Sequence, residues 1–169
     1  PVDAGWEKAW QLPGKNEWAC LKELCDYARG KGVGINVWKH WGGLEQADAR
    51  EDFLRRCAQA GAVGVKIDFM DSESRSRIDF YTYTLATAAR NKLMVNYHGA
   101  NKPTGEPRTF PNEMTREGIR GLEYNKWSDL PATHYATLPF TRYLAGHGDF
   151  TPCTFNPEKL KGTTAALQL

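Results

Sequence analysis

The sequence predicts an α/β fold, an incomplete (β/α)8 TIM-type barrel with parallel strands, and three observations carry that prediction. Short apolar runs with strand character begin near residues 33, 63, 93 and 120, each preceded by a helical pattern, which is the βα rhythm of a parallel sheet. Polar groups recur at the ends of these runs: Asp3, Lys39 and His40, Asp68, His98, Glu123, and Asp149 after them. On parallel barrel strands all of these gather at one face. The 169 residues leave room for about five or six βα units, against the roughly 200–250 residues of a whole barrel. Residues 1–169 are therefore expected to be part of a single barrel, truncated at both ends. A flavodoxin-like or Rossmann sheet is the competing fold, but no G-x-G-x-x-G follows the first strand.

The chain opens at Pro1, without Met, in what reads as the tail of a strand, Val2-Asp3-Ala4-Gly5-Trp6. Residues 10–16 form a loop around Pro13 and Gly14, and Asn16 is placed to cap a helix over 17–28. That helix shows Leu21, Leu24, Cys25 and Ala28 at helical spacing, and Gly30 and Gly32 end it. A strand over 33–38 leads into the polar and aromatic Lys39-His40-Trp41. A helix over 45–60 buries Phe53, Leu54 and Cys57, and Gly61 closes it. Val63 to Met70 then reads as a buried strand. A long helix from Asp71 or Ser72 to about Asn91 carries Ile78, Tyr81, Leu85 and Ala88 on one face. Leu93 to Tyr97 is the next strand, ending in His98-Gly99. Residues 100–113 are a Pro-, Gly-, Thr- and Asn-rich loop, and Gly118 to Tyr124 holds a further short strand. A helix over 132–144 and a strand end or loop over 147–152 complete the pattern.

Composition excludes several function classes. A net charge of +2 without basic runs gives no electrostatic footprint for nucleic acid. No stretch of about 18 apolar residues is present to span a membrane, and no signal peptide is visible. Cys20, Cys25, Cys57 and Cys153 lack CxxC spacing, which argues for buried free thiols over a metal cluster or disulfide scaffold.

The strand over 63–70 carries the chemistry. Alternation puts Val65 and Ile67 on one face and Lys66 and Asp68 on the other. A strand that turns Lys and Asp inward near its C-terminal end resembles a barrel strand delivering catalytic groups; a buried ion pair that only fixes packing is the plainer alternative. Asp68 and Glu123 both sit in short apolar contexts. Paired carboxylates at such a rim suit glycosidic cleavage, one as nucleophile and the other as acid and then base. Lys66 would keep Asp68 ionised, while Glu123 would need a raised pKa. Trp38, Trp41, Tyr97, Tyr124 and Trp127 lie near the same ends, either stacking on sugar faces or packing in the core. His98 is a sugar-hydroxyl contact or a satisfied turn histidine. Asp3, Trp38, Lys39, Lys66, His98 and Asp149 are the candidate substrate-binding set.

Gly64 to Asp71, Val95 to Ala100, Lys102 to Gly105, Arg108 to Asn112, Arg116 to Gly118, Gly121 to Trp127, Leu138 to Arg142 and Gly148 to Pro152 together resemble glycoside hydrolase family 97. The resemblance runs over essentially the whole chain. It implies a bacterial α-glycosidase with a (β/α)8 catalytic barrel between β-rich domains absent here, a calcium ion near the substrate, and a periplasmic or secreted setting. The family's inverting α-glucosidases carry a glutamate base in the turn at position 99 and lack the aspartate at 68. Its retaining branch, which includes α-galactosidases, has that aspartate as nucleophile and a glycine in the turn. With Asp68 and Gly99 this chain resembles the retaining branch, so terminal α-galactosides or α-linked oligosaccharides are the expected substrates. Glu123 matches the acid/base and Glu117 a calcium-ligand position. The alternatives are an inverting α-glucosidase of the same family and a catalytically inactive carbohydrate-binding barrel fragment.

Overall fold

The computed structural model describes residues 1–128 and 130–151. Pro152 and Cys153, expected in a strand end and a loop, lie outside them. The helices follow local chemistry. A short α1 (Trp6–Ala9) occupies what was expected as continuing strand, because Gly5 turns the chain at φ 88 directly after Val2 has paired. Helix α2 (Glu17–Arg29) is capped as expected: Asn16 Oδ1 accepts from Ala19 N at 3.0 Å, worth about 1 kcal/mol. Helix α3 (Ala47–Ala60) stops at Gly61, whose φ of 91 allows its N–H to reach the last carbonyls. Helix α4 (Arg75–Arg90) begins later than the sequence predicts. Phe69 and Asp71 have φ of 61 and 48, and a right-handed helix cannot include left-handed residues.

Four strands form one parallel sheet in the order of the chain: β1 (Asn36–His40), β2 (Gly64–Asp68), β3 (Met94–Tyr97) and β4 (Glu113–Arg116). Val2 extends it with a parallel bridge to Val37, and Gly148 with one to Arg116. A doubly wound sheet reverses direction at a switch point; this one does not. It is an arc of barrel wall. One side is apolar: Val37, Val65, Ile67, Val95 and Tyr97 form a single core with Leu54, Cys57, Leu85 and Ala88 of the helices. The other side carries Trp38, Lys66 and Asp68 in the alternating positions, as the barrel reading requires.

Two expectations are corrected. The fourth strand is residues 113–116, not 118–124, and residues 122–126 form a 3-10 turn. Glu113-Met-Thr-Arg116 has no apolar alternation, so it does not read as a strand. It is one because its two outward charges satisfy each other: Arg116 donates to Glu113, both buried, and the guanidinium lies 4.2 Å from the Tyr81 ring centre. The helix over 132–144 breaks into α5 (Ala132–Thr137) and two 3-10 turns, Leu138–Phe140 and Arg142–Ala145, since Pro139 interrupts the hydrogen-bond ladder. Cys25 and Cys57 are buried free thiols as expected, with burial pushing both thiols up, while Cys20 is half-buried and donates to Trp10 O.

Candidate active site

Register builds the site. His40 pairs with Asp68 across β1 and β2; His98 N donates to Ile67 O; Glu117 N donates to Tyr97 O; Asp149 N donates to Arg116 O. His40, Asp68, His98, Glu117 and Asp149 thus follow one another around the arc at the C-terminal strand ends. One layer below, Trp38, Lys66, Asn96 and Thr115 are register partners. Glu117 joins the upper layer because β4 carries an extra residue, where its register shifts against Val95 and Asn96.

Asp68 is buried at the end of β2 and accepts two hydrogen bonds, from Trp38 Nε1 at 3.0 Å and Phe69 N at 2.7 Å. These donors, rather than Lys66, hold the carboxylate. Among the described residues Lys66 makes no ion pair, and its charge acts on His98 and Asp149 instead. The Trp38 indole is therefore an anchor for Asp68 in addition to any contact with a sugar.

His98 is the hub of the remaining acids. Its Nδ1 lies 2.7 Å from Asp149 Oδ2, its Nε2 3.2 Å from Glu117 Oε1 and 3.6 Å from Glu123 Oε2. Asn96 Nδ2 also donates to Asp149 Oδ2 at 3.1 Å. Burial opposes charge on His98, but the bond to Asp149 and the field of Glu117 outweigh it and raise its pKa. Burial likewise opposes charge on Asp149, and the bonds from His98 and Asn96 carry that carboxyl below its ordinary range. Glu117 is pushed up by burial even though His98 and Gly99 N, which donates to Oε2 at 2.7 Å, pull the other way.

Glu123 reaches the cluster from the 3-10 turn after β4, not from a strand end. Its pKa is not raised as acid catalysis would favour. Burial pushes it up, but Lys126 at 3.1 Å and His98 bring it below the usual glutamate range. Lys39 leaves the candidate set. Alternation turns it to the helical side, where its Nζ pairs with Glu7 Oε1 at 2.5 Å and lies 5.2 Å from the Phe53 ring centre. Asp3 is exposed beside the Val2 bridge and caps Ala4 N. Tyr97 is core, its hydroxyl donating to Tyr81 O, and Trp41 packs edge-on against Phe80. Tyr124 and Trp127 remain exposed, in edge contact with each other.

Sequence reasoning missed Phe69, which sits half-exposed next to Asp68, parallel to the His40 ring at 5.5 Å and edge-on to Trp38. Its left-handed backbone is the signal, and no residue type announces that in advance. Gly99 is the other constraint. At φ 53, a Cβ there would stand 3.0 Å from Phe69 N and 3.2 Å from Asp68 Oδ1.

A model of the glycoside hydrolase 97 family matches residues 2–119. The chain belongs to glycoside hydrolase family 97. Over 99% of its length it is 41% identical to a probable retaining α-galactosidase of Streptomyces bingchenggensis, and over 78% it is 38% identical to a retaining α-galactosidase of Bacteroides thetaiotaomicron. It spans only 27% and 20% of those two proteins. A family 97 enzyme from Pseudoalteromonas sp. strain K8, solved in complex with panose, superposes with a TM-score of 0.70 at 28% identity, over 80% of this chain and 24% of that one.

Proposed function

We propose that this family 97 segment carries the catalytic groups of a retaining α-glycosidase acting on terminal α-galactosides. The observation that supports it most is Asp68, a buried carboxylate fixed by two N–H donors at the strand end, beside a turn in which Gly99 brings no side chain against it. A nucleophile must be held in one place, and the two hydrogen bonds from Trp38 Nε1 and Phe69 N fix the carboxylate there. Asp68 would attack the anomeric carbon and break the bond to the leaving oxygen while Glu123 protonates that oxygen. Glu123 would then take a proton from water as the water opens the glycosyl ester, releasing the sugar with its configuration kept. His98 and Asp149 would orient the sugar's hydroxyls. The two retaining α-galactosidase relatives favour this reading over inversion, and the family enzyme that binds panose supports an α-linked oligosaccharide as ligand.

Calcium belongs to the same proposal. Ligand atoms of His98, Glu117 and Glu123 lie within 4.8 Å of one another. Hard carboxylate oxygens suit Ca²⁺ and imidazole nitrogen does not, so Glu117 would hold the ion, water completing its shell, while Glu123 stays free for its proton. It would offset the surplus of negative charge and orient substrate hydroxyls. A periplasmic or secreted setting in a bacterium is proposed from the kinship alone. Two experiments test the function in the full protein. ¹H NMR of the first product from an aryl α-galactoside should show the α-anomer. Asp68→Ala should abolish turnover, with azide restoring part of it. A β-anomer as first product, or an active Asp68→Ala protein, overturns the proposal.

A further inference from the structure

Arg142 is buried, yet among the described residues it faces no carboxylate. Its guanidinium is satisfied by backbone alone: Nε donates to Gly118 O at 3.0 Å, Nη1 to Gly146 O at 2.9 Å, and Nη2 to the carbonyls of Arg116, Glu117 and His147, each at 2.9 Å. Those five carbonyls belong to two segments. One, residues 116–118, leaves β4 and carries Glu117. The other, residues 146–147, leads into the Gly148 bridge and carries Asp149 two residues on. The two segments also meet directly, since Asp149 N donates to the same Arg116 carbonyl.

We infer that Arg142 is a positioning residue for the acid cluster: its planar fork clamps the Glu117 and Asp149 segments together, so that both carboxylates reach His98 from fixed sides. The argument rests on geometry. A guanidinium has donors spread over a rigid plane, and here that plane is used along all of its edges. A lysine ammonium has three donors at one point and cannot span both segments. Burying a cation without an anion is costly, and packing alone would be served by an apolar side chain of similar size. The effect of Arg142 on catalysis rests on the function proposed above; the positioning itself does not.

The test uses Arg142→Lys and Arg142→Ala in the full protein, with Arg50→Lys as control. Arg50 is another buried arginine bonded to carbonyls, those of Leu44 and Glu45. The first readout is the ¹⁵N resonance of His98 Nδ1, assigned with His98→Gln, which reports the bond to Asp149. It should shift or broaden in both Arg142 variants, return when guanidinium is added to Arg142→Ala, and stay in place in Arg50→Lys. The second readout is kinetic. Arg142→Lys should lower kcat by about 10²-fold, the cost of a small misplacement of catalytic groups, with KM changing far less. An unmoved His98 resonance in folded Arg142→Lys overturns the inference, whatever the activity. A moved resonance with unchanged kcat limits Arg142 to architecture and overturns its catalytic part. An inactive parent protein refutes the proposed function, and the resonance still decides the clamp.

Discussion

Gly99 leaves open the space that the Asp68 carboxylate borders: a Cβ on Gly99 would approach Asp68 Oδ1 to 3.2 Å and Phe69 N to 3.0 Å, at a φ of 53. The contact concerns the same Phe69 N–H that donates to Asp68. A side chain at 99 would thus disturb the acceptor and one of its donors together.

Gly99→Ala should therefore lower stability by about 1–2 kcal/mol through its left-handed backbone alone, read as a lower Tm. It should also reduce kcat through displacement of Asp68. Gly99→Glu should be worse on both counts, because it adds a second carboxylate beside Asp68. A Gly99→Glu protein with undiminished kcat would show that the turn moves freely.

Trp38→Phe separates the two roles of the indole. The ring face survives but the N–H donor to Asp68 is lost. If the hydrogen bond matters, kcat falls by about 10²-fold, as for loss of one preorganised donor, with KM little changed. If stacking on sugar is the main role, KM and kcat both stay near wild type.

Lys126→Met addresses the depressed pKa of Glu123. As general acid, Glu123 acts in its protonated form, and the alkaline limb of kcat/KM follows its pKa in the free enzyme. Removing the Lys126 ammonium takes away one of the influences that lower that pKa. The alkaline limb should move to higher pH, and a limb that stays fixed or moves down would assign it to another group.

Lys39→Met should leave KM and kcat unchanged within about twofold, since the side chain faces the helices. Loss of its partly exposed pair with Glu7 should cost no more than about 1 kcal/mol, seen as a small fall in Tm. A large rise in KM would return Lys39 to the substrate side.

Much of this was legible before any coordinates. The strand through Asp68 announces itself by an apolar run after a glycine, and its period of two assigns Lys66 and Asp68 to the open face. The helices of residues 17–29 and 47–60 follow from apolar spacing, a cap and terminal glycines. What escaped were features whose signal is not hydrophobic. The strand at 113–116 is held by a Glu–Arg pair over aromatic rings. Lys39 was placed by proximity to a strand end, when the same alternation that put Asp68 inside puts Lys39 outside. The acid role asks for a raised pKa at Glu123, and Lys126, three residues on, together with His98 brings it down instead.

The extra residue in β4 has a consequence for how this sequence can change over generations. It sets the phase in which Glu117 faces His98 while Arg116 faces Tyr81 and Tyr97. Deleting one residue between 113 and 116 would exchange the two: a guanidinium would enter the acid cluster and a carboxylate would be pressed against the aromatic rings. The loop before the strand can lengthen or shorten at little cost. The four residues that follow it cannot be recounted.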